Sequence, residues 1–194
     1  VVKERGYCMI DLGETNLFGA NLKRIDLGRA NFKRAKFEKT NLTGANLKET
    51  NLEGAILERA NLFMADLERS NFKGAILEGA NLKGANLREA NFKATYLIKA
   101  NILGADLKRA NLEGANLERA NLREANLEGA NFIGANLYGA DLVKFNLTGA
   151  NFKEANLQRT NLFMADLKGT NFEGANLKGI LNLSIDQLST ARTL

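Results

Sequence analysis

From Asp11 to Ile180 a large apolar residue returns at every fifth position, with no insertion or deletion. The 34 consecutive pentapeptides carry 26 Leu, seven Phe and Ile102 in the second slot, and Asn or Asp in 30 of the first slots. The fifth slot is mostly Ala, and slots three and four hold mainly charged residues or Gly. A period of five fits neither regular element. On a helix of 3.6 residues per turn it drifts around the axis. On a strand it would send successive Leu residues to opposite faces. The pattern predicts a winding chain with one corner per pentapeptide.

The irregularities count the corners. Six of the seven second-slot Phe (Phe32, Phe72, Phe92, Phe132, Phe152 and Phe172) are separated by multiples of 20, and only Phe37 lies off the series. The four first-slot exceptions, Lys36, Ile56, Ile76 and Tyr96, are also spaced by 20. Both sets predict a four-sided coil of 20 residues, in which like side chains stack at the inter-strand spacing. The 34 repeats then make about 8.5 coils and a rod of about 40 Å. We name the sides by their first inward residue: Leu12, Leu17, Leu22 and Leu27.

This tandem A-(N/D)-(L/F)-x-x pattern resembles the pentapeptide repeat family over about 170 of the 194 residues. The resemblance implies an all-β fold, a right-handed quadrilateral β-helix with Leu, Phe and Ala inward. The physical chemistry agrees. Thirty-four large apolar side chains stack in four ladders, each worth roughly 1.5–3 kcal/mol when buried. Rung-to-rung hydrogen bonds need nearly every N–H, in keeping with a chain that contains no Pro. Gly in 15 fourth slots points to corners with positive φ. First-slot Asn and Asp are expected to bond the turn backbone.

Three segments are expected: a partial first coil over 1–10 with Tyr7 inward, the β-helix over 11–180, and a C-terminal capping segment over 181–194. A solenoid exposes its core at both ends, so caps are needed. The register breaks at Asn182, and Ser184 with Gln187 spells a capping box for a short helix. Ile185, Leu188 and Ala191 are expected to sit over the last coil. The resemblance also implies dimerisation through such a segment as an alternative, with the monomeric cap favoured. The chain opens on Val, so an upstream segment with any targeting peptide is left open.

Composition removes most chemistry. There is no His and one Cys, so His-based triads, imidazole metal ligands and Cys-rich zinc sites are excluded. No catalytic, cofactor-binding or metal site is expected, and the chain reads as a non-enzyme. No apolar run is long enough to span a bilayer, and a cytoplasmic setting is expected. The outward slots of the four sides carry formal charges of −1, +3, +3 and −1, which with +1 in the tails make up the chain's +5. Nucleic acid is disfavoured as a partner, because no face concentrates Lys and Arg. On the Leu27 side the sequence Arg29, Glu49, Arg69, Glu89, Arg109 alternates in sign, as in a self-paired stabilising ladder.

Outward apolar residues gather instead on the adjacent Leu17 and Leu22 sides. Ile56, Ile76, Tyr96 and Ile98 lie on the first, and Phe63, Met64, Phe163 and Met164 on the second, in two copies of NLFMADL five coils apart. These eight form the expected partner surface. The predicted function is a non-catalytic structural or protein-interaction module presenting a rigid rod, with a protein partner. The family resemblance implies one alternative, a DNA mimic acting on DNA gyrase or another nucleic-acid-binding protein, but the outward slots lack the negative charge it needs. The same resemblance points to a cyanobacterial source.

Overall fold

A computed structural model describes residues 2–4, 7–143 and 145–192. Every first-slot residue bridges in parallel to the residue 20 positions on, from Asp11 with Asn31 to Asn161 with Leu181. The result is a four-sided β-helix. Each rung contact is a single bridged residue rather than a strand, because the chain turns again after five residues.

One repeat shows where the backbone donors go. In 51–55, the N–H of Asn51 reaches back to the Ala30 carbonyl at 3.0 Å, while those of Leu52 and Gly54 reach forward to the Asn71 and Lys73 carbonyls at 2.7 and 2.9 Å. The Ala55 N–H closes the turn on the Leu52 carbonyl at 3.0 Å. The remaining N–H, on Glu53, donates to Oδ1 of Asn51 at 3.2 Å. All five donors are satisfied, and a Pro in any slot but the outward third would delete a backbone bond.

The first-slot side chain therefore does two jobs. Its Oδ1 accepts the third-slot N–H wherever the slot holds Asn or Asp. Where the slot is Asn, Nδ2 can also donate to Oδ1 of the rung below. On the Leu12 side that ladder runs unbroken from Asp11 to Asn131. Asp has no such donor. Above the first coil, each Asp instead takes a donor on Oδ2 from the third slot of the preceding coil. Lys48 lies 3.2 Å from Asp66, Arg88 3.1 Å from Asp106, Arg123 3.7 Å from Asp141 and the Thr148 hydroxyl 3.3 Å from Asp166.

Every described fourth slot has positive φ, whether Gly or not, from Gly19 at 64° to Met164 at 58°. This is the type II turn geometry, with the positive φ at the third turn residue. Non-glycine residues there bear a conformational cost, and many lean their stems over a Gly one rung above. Cγ of Arg34 lies 3.5 Å from where a Cβ on Gly54 would stand, and Cγ of Met64 lies equally close to Gly84.

The interior is the ladder of second-slot side chains with Ala between them. Phe72 stacks on Phe92 at 4.8 Å and Phe132 on Phe152 at 4.6 Å, rings nearly parallel. Isolated rings prefer offset or edge-on contact, so the rung spacing imposes this geometry. Buried fifth-slot hydroxyls stay paired: Thr95 donates to the Phe72 carbonyl and Ser70 to the Leu67 carbonyl, at 2.7 and 2.6 Å.

The ends differ in part from the sequence expectation. In place of a partial first coil, β1 (Val2–Glu4) pairs antiparallel with β2 (Tyr7–Met9), Val2 opposite Met9. Pairing of these two segments with each other does not depend on the 20-residue register of the coil. The inward side chain expected of Tyr7 lies outside the described residues. At the other end, α1 (Ile185–Ser189) starts with the capping box of Ser184 and Gln187. Gln187 Nε2 also donates to the Leu162 and Ala165 carbonyls, both at 3.0 Å. Farther on, the Thr190 carbonyl accepts from Gly169 and the Arg192 N–H donates to Thr170. These bonds close the ends of the Leu22 and Leu27 sides. Leu183 and Ala191 pack on the core and Leu188 is half-buried, but Ile185 is 84% exposed, contrary to its expected place over the last coil. The capping box sets the first helical residue, Ile185, on the face turned away from the rod.

Three outcomes are expected from thermal melts. Leu107, 1% exposed mid-rod, should cost about 2–5 kcal/mol when changed to Ala, and Leu107→Asp should prevent a cooperative fold; an unchanged melt would refute the inward register. Gly74→Ala meets no atom within 4 Å but keeps φ at +65°, so it should destabilise by about 1 kcal/mol, and Ala94→Gly on the same corner should stabilise by about as much. Gln187→Ala breaks the capping box and frees two carbonyls, which should cost about 1–2 kcal/mol; no loss would show that the segment does not cap the rod.

Candidate interaction surface

On the Leu12 and Leu27 sides most carboxylates meet a cation. Arg29 meets Glu49 and Arg69 meets Glu89, each at 3.0 Å between adjacent rungs, as the alternating sequence predicts. On the Leu12 side Lys33 pairs with Glu53, Lys93 with Glu113 and Lys153 with Glu173. The bonds to Glu68 and Asp66 raise the pKa of Lys48, and Lys48 in turn lowers that of Glu68. The Glu173 carboxylate likewise raises Lys153. These groups lie at the surface, exposed or half-buried, and are screened by solvent, so they help to hold register and add little to stability.

The Leu17 side differs. Lys36, Ile56, Ile76 and Tyr96 occupy consecutive first slots and bridge one another in order. Their side chains offer no oxygen to the third-slot N–H groups of Glu38, Glu58, Glu78 and Ile98. Ile56, Ile76 and Ile98 are half-buried, because each side chain is partly covered by the rung beside it, and Tyr96 is 50% exposed. The column is thus less open than a stack of outward apolar residues suggests. Two further aromatics on this side are already covered by cations: Lys39 Nζ lies 5.4 Å from the Phe18 ring and the Arg159 guanidinium 5.8 Å from that of Tyr138.

On the Leu22 side Phe63 is half-buried and Met64 is 61% exposed. Phe163 and Met164 stand five rungs away at the C-terminal end, so the two NLFMADL segments do not meet. Phe163 and Met164 instead line a shallow cavity with Asn182, Leu183, Ser184 and Gln187. Leu181 and Ile185 add exposed apolar surface at this end. Sequence reasoning missed both. Leu181 was legible, since the five-residue register puts it in an outward first slot. Among the described residues, no group of acidic, Cys or His side chains could hold a metal ion, and no helix is long and apolar enough to cross a membrane.

The family model of pentapeptide repeats matches residues 10–48, 40–79, 75–114, 110–149 and 146–179. The chain belongs to the pentapeptide repeat family. Among solved structures, this pentapeptide repeat protein is similar to HetL, a pentapeptide repeat protein involved in heterocyst differentiation regulation from the cyanobacterium Nostoc sp. strain PCC 7120. The two are 31% identical with a TM-score of 0.63, over 89% of this chain and 86% of HetL. QnrB1, a plasmid-mediated fluoroquinolone resistance protein, shares the fold at 20% identity and a TM-score of 0.62, over 93% of each chain. The β-helix is right-handed, as in these relatives. No curated protein matches the chain. The family is one of structural repeat modules, and no catalytic family is indicated.

Proposed function

We propose that this pentapeptide repeat protein is a non-catalytic interaction module whose rod presents the Ile56, Ile76 and Tyr96 column, with Ile98 beside it, to a protein partner. One observation carries the reading. Every first-slot Asn or Asp bonds its third-slot N–H, and four consecutive rungs of one side give that bond up for Lys36, Ile56, Ile76 and Tyr96. A substitution series that forfeits fold-stabilising bonds on one face marks selection for something other than folding. The likeness to HetL supports a regulatory setting and a cyanobacterial source. The DNA-mimic alternative has the rod shape in its favour, but the outward charge of this chain is not negative.

Changing Ile56, Ile76 and Tyr96 together to Asn restores the majority residue at each position. The triple variant should melt at or above the parent temperature, since each recovered bond is worth about 0.5–1.5 kcal/mol. Capture of the native partner should fall at least about tenfold, because apolar anchors dominate interface energy. A partner held as tightly by the variant would remove the column from consideration and make Phe163, Met164, Leu181 and Ile185 the next surface to alter. An unfolded variant would show that the column is a structural ladder. Inhibition of gyrase supercoiling by the parent at low micromolar concentration would favour the mimic instead.

A further inference from the structure

The face that holds the apolar column also carries its own charge pattern. In the third slots beside it, Glu38, Glu58 and Glu78 follow one another on consecutive rungs. Like charges stacked at the rung spacing repel, and elsewhere on the rod such carboxylates are mostly answered by a cation on a neighbouring rung. Among the described residues, these three form no ion pair. Oε2 of Glu38 is the one buried side-chain oxygen or nitrogen there without a hydrogen-bond partner. Across the face the order is therefore the first-slot column (Lys36, then Ile56, Ile76 and Tyr96), the acidic column, then the corner cations Lys39, Arg59 and Lys99, so the unpaired carboxylates stand as a narrow acidic stripe on a side whose outward slots sum to +3. On its other flank the apolar column borders Gly54, Gly74 and Ala94; the Arg34 stem leans over Gly54, while nothing lies within 4 Å of a Cβ placed on Gly74.

We infer that this face takes a basic amphipathic helix of a protein partner, laid along the rod. Its apolar stripe covers Ile56, Ile76 and Tyr96, and its Lys or Arg residues face Glu38, Glu58 and Glu78. Spacing selects the helix. A helical turn advances 5.4 Å, close to the rung spacing of about 4.8 Å, whereas same-face residues of a strand recur at about 6.8 Å and lose register within three rungs. A second copy of the rod does not fit. Antiparallel rods would set the acidic columns against each other, and parallel rods could match acid with base only by leaving the apolar column outside the contact. The inference rests on the proposed interaction surface and gives its partner a chemistry.

The test uses the full chain and three synthetic 15-residue peptides. One is helical with Lys along one stripe and Leu along the next. The second has Glu in place of Lys, and the third scrambles the first. Titrated by calorimetry at about 50 mM salt, where the Debye length exceeds the contact distance, the Lys peptide should bind with a Kd of about 10–100 μM. The Glu and scrambled peptides should bind at least about tenfold more weakly. The variant carrying Glu38→Gln, Glu58→Gln and Glu78→Gln should lose about tenfold for the Lys peptide, and its remaining binding should depend less on salt. Equal binding of the scrambled peptide, undiminished binding by the Gln variant, or no saturable binding of the Lys peptide overturns the inference. The peptide comparison needs no variant, so it stands if the Gln protein folds poorly. Loss of native-partner capture by the Asn variant but not by the Gln variant would keep the surface and discard the basic helix.

Discussion

A chain that turns a corner every five residues leaves one backbone N–H per repeat pointing neither along the rod nor into the turn. The third-slot N–H has no carbonyl to meet, and the first-slot Asn or Asp Oδ1 is what meets it. The same Asn extends Nδ2 to the rung below, so the bond that completes one corner also ties adjacent coils in register. Much of the composition follows from this pairing. Asn is abundant because it both accepts and donates. Asp above the first coil is accompanied by a donor from the preceding coil, since two oxygens cannot close the ladder alone.

The constraint also sorts the surface. Two sides answer most of their carboxylates with cations, and the Leu12 side also keeps the Asn ladder from Asp11 to Asn131. The Leu17 side breaks both habits over overlapping rungs, with the acidic column starting one rung before the apolar one. It drops the Asn ladder for Ile56, Ile76 and Tyr96, and it stacks Glu38, Glu58 and Glu78 without cations. Coincidence of an apolar and an acidic departure on one flat face gives the surface polarity across its width as well as position along the rod. A rigid rod is suited to such display, because rung spacing holds the columns without any loop to order on binding.

What could be read from the chain depended on how local the governing physics is. Period, corner count, inward Leu and Ala and the capping box of Ser184 with Gln187 were all legible, because each rests on bonds within one repeat or between identical repeats. The exposure of the apolar column was read less well. Ile56 and Ile76 look fully outward in sequence, yet stacking half-buries them. The ends were least legible. The pairing of Val2–Glu4 with Tyr7–Met9 and the outward Ile185 lie where the repeat has stopped and no identical rung dictates the geometry.

The amino-acid sequence by itself determined a four-sided, 20-residue β-helix. Thirty-four repeats in one register turn every second-slot side chain inward and supply an Asn or Asp to 30 of the corners, while the hand of the coil is known from the family. The tertiary structure alone decided which carboxylates find cations, which sides the C-terminal segment closes and how far each outward side chain is covered. Those outcomes depend on side-chain reach between rungs and on chain direction after the register breaks. Neither is encoded in a five-residue period, which specifies where a residue points but not what stands beside it.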